Sequence, residues 1–311
     1  MTRITKHIVL ISFLFSFCFG VIFGQDSSYF SEDFIKEASS LIELEHTLIR
    51  SSMGSMTVMK RYPYLKQNSG AITWNADVSF GTVVAPAYLF VKNQDAYTIF
   101  KNVNIIEDGR GESIQAVHCN IAISVTNKFQ VAGKFAWLPK YVEIKNNTST
   151  FLVGGEILYK LLKTSSLGMG IDVGGGYSYL NGSHTIPFSN ISWIKEMDNG
   201  TSEAMSFRGE SKSNWQYNVV NTGFKLTKNI YFLRFYAGID GWYASGYVNS
   251  KLLEEKDTVA IVKRNTSEKM YGLVSSGGIE IPIGLLYLNI EVGRDWFHYS
   301  LYANAGMKIG N

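Results

Sequence analysis

The chain is predicted to be all-β: an antiparallel transmembrane β-barrel of about 10–14 strands behind a short N-terminal helical plug or hatch-like segment. Three observations predict this. From Glu112 onward, nearly every stretch between turns alternates apolar and polar residues. Short turns alternate with long polar links. An apolar leader opens the chain, and no later segment is long and apolar enough to be a second helix.

The leader comes first. Arg3 and Lys6 give a basic start, Val9 to Phe23 is almost wholly apolar, and Gln25-Asp26-Ser27-Ser28 turns polar. Residues 1–24 therefore read as a secretory signal, 25–68 as an N-terminal helical segment, and 69–311 as the barrel. Phe17 precedes Cys18 where lipid attachment wants a small residue. Losing Arg3 and Lys6 takes the 29 basic residues to 27 against 26 acidic, a balance that argues against a nucleic-acid surface. Cys119 is then the only cysteine, so no disulfide forms within one molecule. Charged residues are 18% and aromatics 14%, short of charge for a soluble surface of this size. The mean hydropathy of 0.00 is what alternation averages to.

Ser28 to Arg50 reads as a helix. Ser31 can cap it, and Glu32 and Asp33 sit where the helix dipole favours acids. Phe34, Ile35, Ala38, Leu41, Ile42, Leu48 and Ile49 form one apolar stripe, the expected plug or cap face. Nine strands follow from Glu112. Both ends of such a barrel face one side, so the total should be even, and Ser69 to Ile105 must add one strand or three, with Pro86 interrupting. Short turns are expected at Thr126-Asn127-Lys128, Lys163-Thr164-Ser165-Ser166, Thr227-Lys228-Asn229 and Pro282. Long polar loops are expected at Pro139–Thr150, Asn181–Asn214 and Asn249–Glu268, and the last strand from Phe297. Short turns on one end and long loops on the other is an outer-membrane layout, with the short turns in the periplasm.

Charges keep to the face away from the oil. Glu156 and Lys160 oppose Phe151, Val153 and Ile157; Asp172 and a row of glycines oppose Ile171, Val173 and Tyr177. Arg234 and Asp240 oppose Phe235 and Ile239, and Glu291 opposes Ile290 and Val292. Glu156, Asp172, Arg234, Asp240 and Glu291 are thus the candidate lumen lining, either wetting it and pairing with one another or guiding a solute. The glycines allow a tight wall or a close plug. Trp137, Tyr179, Trp215, Trp242, Tyr247 and Trp296 fall near strand ends, as interfacial girdles do. No metal, phosphate-loop, dinucleotide or nucleophile-elbow motif stands in a fitting context, and the four histidines left after the leader are far apart. No catalytic residue, metal or cofactor is expected, and the chain is read as not an enzyme.

Val153-Gly-Gly-Glu-Ile-Leu-Tyr-Lys160, Leu167-Gly-Met-Gly-Ile-Asp-Val-Gly-Gly-Gly-Tyr177 and Phe235-Tyr-Ala-Gly-Ile-Asp-Gly-Trp-Tyr-Ala-Ser-Gly246 resemble spirochaete (treponemal) outer-membrane barrels of the FadL-like type, relatives of long-chain fatty acid transporters. The likeness runs from about Ser69 to the C-terminus, and that family carries a hatch in its lumen. The hatch's Asn-Pro-Ala motif is not found, so no ligand residue is carried over. The resemblance implies a monomer in the bacterial outer membrane. Its partners would be outer-membrane lipid, the barrel-assembly machinery and a small solute, with no nucleic acid. Passive uptake of small hydrophobic or amphipathic solutes, long-chain fatty acids among them, is the first expectation, with the helix as gate. Two alternatives stay open: a surface barrel acting through its loops as adhesin or envelope protein, and a soluble periplasmic β-sandwich or calyx that binds a ligand.

Overall fold

A computed structural model describes residues 22–23, 30–58, 73–84, 113–138, 147–164, 168–196, 200–254, 260–283 and 286–310. In chain order the elements are β1 (Ile22–Phe23), α1 (Glu32–Val58), β2 (Thr73–Val84), β3 (Ser113–Ser124), β4 (Phe129–Leu138), β5 (Asn147–Thr164), β6 (Met169–Glu196), β7 (Ser202–Ile230), β8 (Leu233–Glu254), β9 (Ala260–Ile283), β10 (Leu286–Asp295) and β11 (Leu301–Gly310).

Strands β2 to β11 pair antiparallel with their sequence neighbours, and β11 closes back onto β2, with Leu301 opposite Val84 and Gly310 opposite Asn75. The ring therefore has ten strands among the described residues, nine from Ser113 onward and β2 as the tenth. Even parity is met by one strand from the Ser69–Ile105 region; residues 85–112, Pro86 included, lie outside the described residues. The leader lies outside them too, except Ile22 and Phe23, which pair with Lys263 and Val262 on β9. Closure removes the free edges that an open sheet would expose.

The polarity is that of a membrane barrel. On β2 the outer face carries Trp74, Val78 and Phe80, and the inner face carries buried Asn75, Asp77 and Ser79. On β11 Leu301, Met307 and Ile309 point out while Asn304 and Lys308 are buried inside. A soluble sandwich or calyx, the other reading the alternation left open, would put those apolar rows inside. Backbone groups crossing hydrocarbon must be satisfied internally, which the closed ladder does.

The expected loops correct themselves in an instructive way. Most of Asn181–Asn214 is strand: β6 runs to Glu196 and β7 starts at Ser202. Asn249–Glu268 likewise holds the end of β8 and the start of β9, and Asn147 already belongs to β5. Alternation continues through these stretches, but its sense flips. On β7, Val220, Phe224 and Leu226 face out below, with Asn221 and Lys225 inside. Above them Asn218, Gln216 and Asn214 face out, with Val219, Tyr217 and Trp215 inside. The upper parts of β6 to β9 thus form a half-sleeve of ordinary water-facing polarity. It rises on the order of 40 Å above the apolar band, at about 3.3 Å per residue and the usual barrel tilt.

Two turns also differ. β7 runs through Thr227-Lys228-Asn229 to Ile230, and the reversal is at Tyr231–Phe232, with Tyr231 at φ 53°. The ladder holds that far because Asn229 N–H donates to the Gly168 carbonyl at 2.8 Å. The last strand begins at Leu301, not Phe297. Asp295 Oδ1 accepts from the backbone N–H groups of Phe297 (2.9 Å) and His298 (3.1 Å), closing a tight turn there.

Helix α1 starts as expected. Phe34 N–H donates to Ser31 Oγ at 3.2 Å, and Ile35 N–H to the Ser31 carbonyl at 3.1 Å. It ends at Val58 rather than Arg50, and Ile49, Ser51 and Ser55 past its middle are buried against the barrel wall.

Candidate functional site

The interior has three storeys. The floor, toward the short turns, is ionic. Lys134 Nζ donates to Glu156 at 2.7 Å, and Asn221 reaches the same carboxylate at 3.4 Å. It does so across Gly176, where a Cβ would meet Glu156. Lys225 Nζ lies 3.6 Å from Glu291 and 4.1 Å from the centre of the Tyr236 ring, with Asp172 beside it in register. Lys308 donates to Glu280 at 2.8 Å, and Arg234 reaches Glu280 at 3.2 Å. Asn120 donates to Asp77 at 3.0 Å and Tyr302 to Glu291 at 2.8 Å.

All five expected lining residues therefore face the lumen, but they do not make one constellation. Glu156 belongs to the β4–β5–β7 cluster, Asp172 and Glu291 to the Lys225 cluster, and Arg234 to the Glu280 cluster. Asp240 is buried on β8 above Arg234. The glycines of β6 serve the wall rather than the plug: Gly174 and Gly176 leave room for Leu158 and Glu156 of β5.

Among the described residues the inner wall buries seven carboxylates (Asp77, Glu156, Asp172, Asp240, Glu280, Glu291 and Asp295) against three ammonium groups (Lys134, Lys225 and Lys308). Asp295 lies at the upper turn, so the floor proper sets six acidic groups against these three lysines and Arg234. Lys134, Lys225, Glu280 and Lys308 were missed in the sequence. Their signal was there: Lys225 stands between Phe224 and Leu226, and Lys308 between Met307 and Ile309, one charge between two outward apolar neighbours.

Above the floor is an aromatic collar. Trp215 and Trp242 are 5% and 3% exposed and point inward, so they are not girdle residues; Trp137, Tyr247 and Trp296 do face out. Each inward indole lies across a glycine directly opposite on the next strand, Trp215 over Gly182 and Trp242 over Gly272. Trp242 Nε1 donates to Asp295 at 3.0 Å. A Cβ at Gly272 would collide with the Trp242 ring. Gly272→Val should destabilise the barrel by about 1–3 kcal/mol through this overpacking. Gly277→Ala, with its nearest neighbour 3.7 Å away, should be near neutral. Loss of the heat-resistant gel band with temperature measures both.

The third storey is the mouth, and α1 fills it. Phe34, Ala38, Leu41 and Ile42 are fully buried, packed with Phe30 against Ile186, Phe188, Phe207 and Leu252 of the half-sleeve. Phe34 and Phe207 meet edge to face at 5.3 Å. Ile49 enters the collar beside Trp215, Trp242 and Tyr302. The Leu48 side chain lies outside the described residues.

Polar latches hold the helix at this level. Arg50 forks onto Glu268 and reaches Glu43 at 3.2 Å. Arg264 pairs with Glu43, and Ser55 meets Ser300 at 2.7 Å. Ser213 donates to Glu45, and His46 Nε2 lies 2.8 Å from Ser250 Oγ. Burial raises the Glu45 carboxyl to about 7 against the pull of Ser213 and Ser211. Burial lowers His46 to about 3, aided by the charges of Arg50 and Arg264. In sequence, Glu45 interrupts the apolar stripe four residues after Leu41, which is the signal that could have singled it out.

No family model and no curated protein matches the chain. Solved structures do. The outer membrane protease OmpT of Escherichia coli aligns with a TM-score of 0.48 at 10% identity, covering 81% of this chain and 99% of that one. The translocator domain of the autotransporter NalP from Neisseria meningitidis aligns at 0.45 and 8% identity, covering 90% and 98%. A major outer membrane protein of Thermus thermophilus aligns at 0.36 and 6%, covering 78% and 100%.

Proposed function

We propose that this is an outer-membrane barrel that acts through the rim it raises above the membrane, as an envelope or surface-binding protein, and that it is not an open conduit. The observation that carries this reading is the double closure of the lumen: an ion-paired floor with Glu156, Glu291 and Lys225 at 1–4% exposure, and a mouth filled by α1. In this reading the short turns face the periplasm and the half-sleeve faces outward. Reconstituted protein in planar bilayers should carry no steady current. A stable open conductance in the full-length protein would sink the proposal.

Gated uptake of a small hydrophobic or amphipathic solute is the second reading. The apolar wall of Ile186, Phe188 and Phe207, against which Phe30 and Phe34 rest, favours it: an acyl chain could take the place of those rings. The acid-rich floor opposes a fatty carboxylate as the solute, since like charge in a low-dielectric lumen is costly. Deleting residues 25–58 separates the readings. A gate predicts conductance after deletion, with cations preferred over anions because carboxylates outnumber cations on the wall. A structural mouth predicts a destabilised barrel that stays closed.

A further inference from the structure

The outer face of the half-sleeve carries an ordered arrangement that the lumen does not explain. Lys212 on β7 stands directly opposite Lys251 on β8, and Lys251 directly opposite Lys263 on β9. All three point away from the interior, since Ser211, Ser213, Ser250, Leu252 and Val262 beside them are buried. Like charges set directly across a sheet repel. Adjacent strands are about 4.8 Å apart, so three ammonium groups share roughly 10 Å of one row. Lys212 has Glu210 beside it. Among the described residues Lys251 and Lys263 have no ion-pair partner.

The next row down repeats the register with amides: Asn214 opposite Asn249, and Asn249 opposite Asn265. Below that come Gln216, Tyr247 and Ser267, with Tyr247 donating to Gln216 at 2.7 Å. Next come Asn218, Ser245 and Lys269, also outward, and below them Val220, Tyr243 and Tyr271 open the apolar band, followed by Phe224, Ile239 and Leu273. One continuous face thus runs from hydrocarbon-compatible residues through Lys269 and its row, the Tyr247 ring and an amide ladder to a row of three lysines.

We infer that this face of β7–β9 binds an anionic glycolipid of the outer leaflet: acyl chains on the apolar band, sugars on the Tyr247 ring and the Asn row, and phosphate or carboxylate groups on Lys212, Lys251 and Lys263. The order of the rows selects this occupant. A free anionic sugar would use the upper rows but gain nothing from the apolar band below them. A simple phospholipid would set its phosphate at Lys269, one row above the apolar band, and leave the two rows and three lysines above it unused. Anions placed among the three ammonium groups also remove the repulsion that the ladder otherwise carries. The inference rests on the reading that the half-sleeve faces outward.

The test uses full-length protein in phosphatidylcholine nanodiscs, with a bisphosphorylated diglucosamine lipid as probe and its dephosphorylated form as control. Tighter retention of the phosphorylated lipid is expected. Lys212→Gln, Lys251→Gln and Lys263→Gln combined should weaken it at least tenfold, and the three Lys→Arg changes should keep it. The heat-resistant band should persist in both sets, because none of these side chains packs inside. Unchanged retention in the Gln set overturns the inference. So does equal competition by inorganic phosphate or by the deacylated phosphorylated disaccharide, which would make the site one for free anions. Orientation is checked apart from binding. Ser206→Cys, on the outer face of β7, in a Cys119→Ser background should react with a membrane-impermeant maleimide on intact cells. No reaction there would sink the outward reading itself.

Discussion

Lys225→Met is expected to cost about 3–5 kcal/mol of barrel stability, the loss typical when one partner of a buried ion pair is removed. Lys225 is 2% exposed on the inner face of β7. Its ammonium serves Glu291 at 3.6 Å and the Tyr236 ring at 4.1 Å, and it stands beside Asp172. A methionine of similar length fills the space but leaves those carboxylates buried without their cation. Glu291 keeps the Tyr302 hydroxyl at 2.8 Å, one neutral hydrogen bond in place of a charge. Adding Glu291→Gln to Lys225→Met should recover part of the loss, since the uncompensated charge is then removed. Arg234→Met should cost far less, on the order of 1 kcal/mol. It sits at the short-turn rim with a quarter of its side chain in water, and Glu280 retains Lys308. Denaturant unfolding in lipid, followed by tryptophan fluorescence, gives all three values. If the single Lys225 change is silent, the floor is wet and screened, and its ion pairs do not hold the wall.

Much of this wall was legible because a barrel writes itself in a period of two. Phe151, Val153 and Ile157 outside, with Glu156 between, needed only alternation, and parity asked for one further strand or three, of which the described residues hold one. Three things were hidden, each for a physical reason. The upper half-sleeve was read as loop because Asn, Ser, Thr and Lys are loop-like in composition. They are also what an extended strand carries once its outer face leaves the membrane, and only the persisting alternation of Leu180, Ile186 and Phe188 marked it as strand. Trp215 and Trp242 were placed at the interface because a tryptophan near a strand end usually sits there. Their inward direction depends on the glycine across the ladder, a pairing that register decides and one strand alone cannot show. The partners of the expected lumen charges were hidden because Lys225–Glu291 joins β7 to β10, two strands far apart in sequence that meet only across the closed ring. Of the five charges first singled out, Glu156, Arg234 and Glu291 take part in the wall's own pairing, and Lys212, Lys251 and Lys263 lie outside it.

Docking of α1 should depend on pH in a way that two adjacent residues set in opposite directions. The Glu45 carboxyl is raised to about 7 in the docked helix from an ordinary 4.5. Its contribution is therefore full below pH 4.5 and is lost as pH rises through 7, when a buried carboxylate must ionise. His46 is lowered to about 3 from 6.5, so its contribution is full above 6.5 and is lost as pH falls toward 3, when a buried imidazole must charge. The groups facing this pair are Ser211 and Ser213 on β7, Ser250 on β8, Arg264 and Glu268 on β9, and Glu43 and Arg50 on α1 itself. Between pH 4.5 and 6.5 the two slopes oppose each other, so docking should be flat there and weaker on both sides. Glu45→Gln should abolish the alkaline fall and leave only the acid one, tightening the helix above pH 7 by on the order of 3 kcal/mol at most. His46→Gln should do the reverse. A spin label at Lys36→Cys, on the exposed side of α1, in a Cys119→Ser background reports docking as restricted motion at any pH. A spectrum unchanged from pH 3 to 8, or an acid transition that disappears in Glu45→Gln rather than in His46→Gln, would show that this buried pair does not govern the mouth.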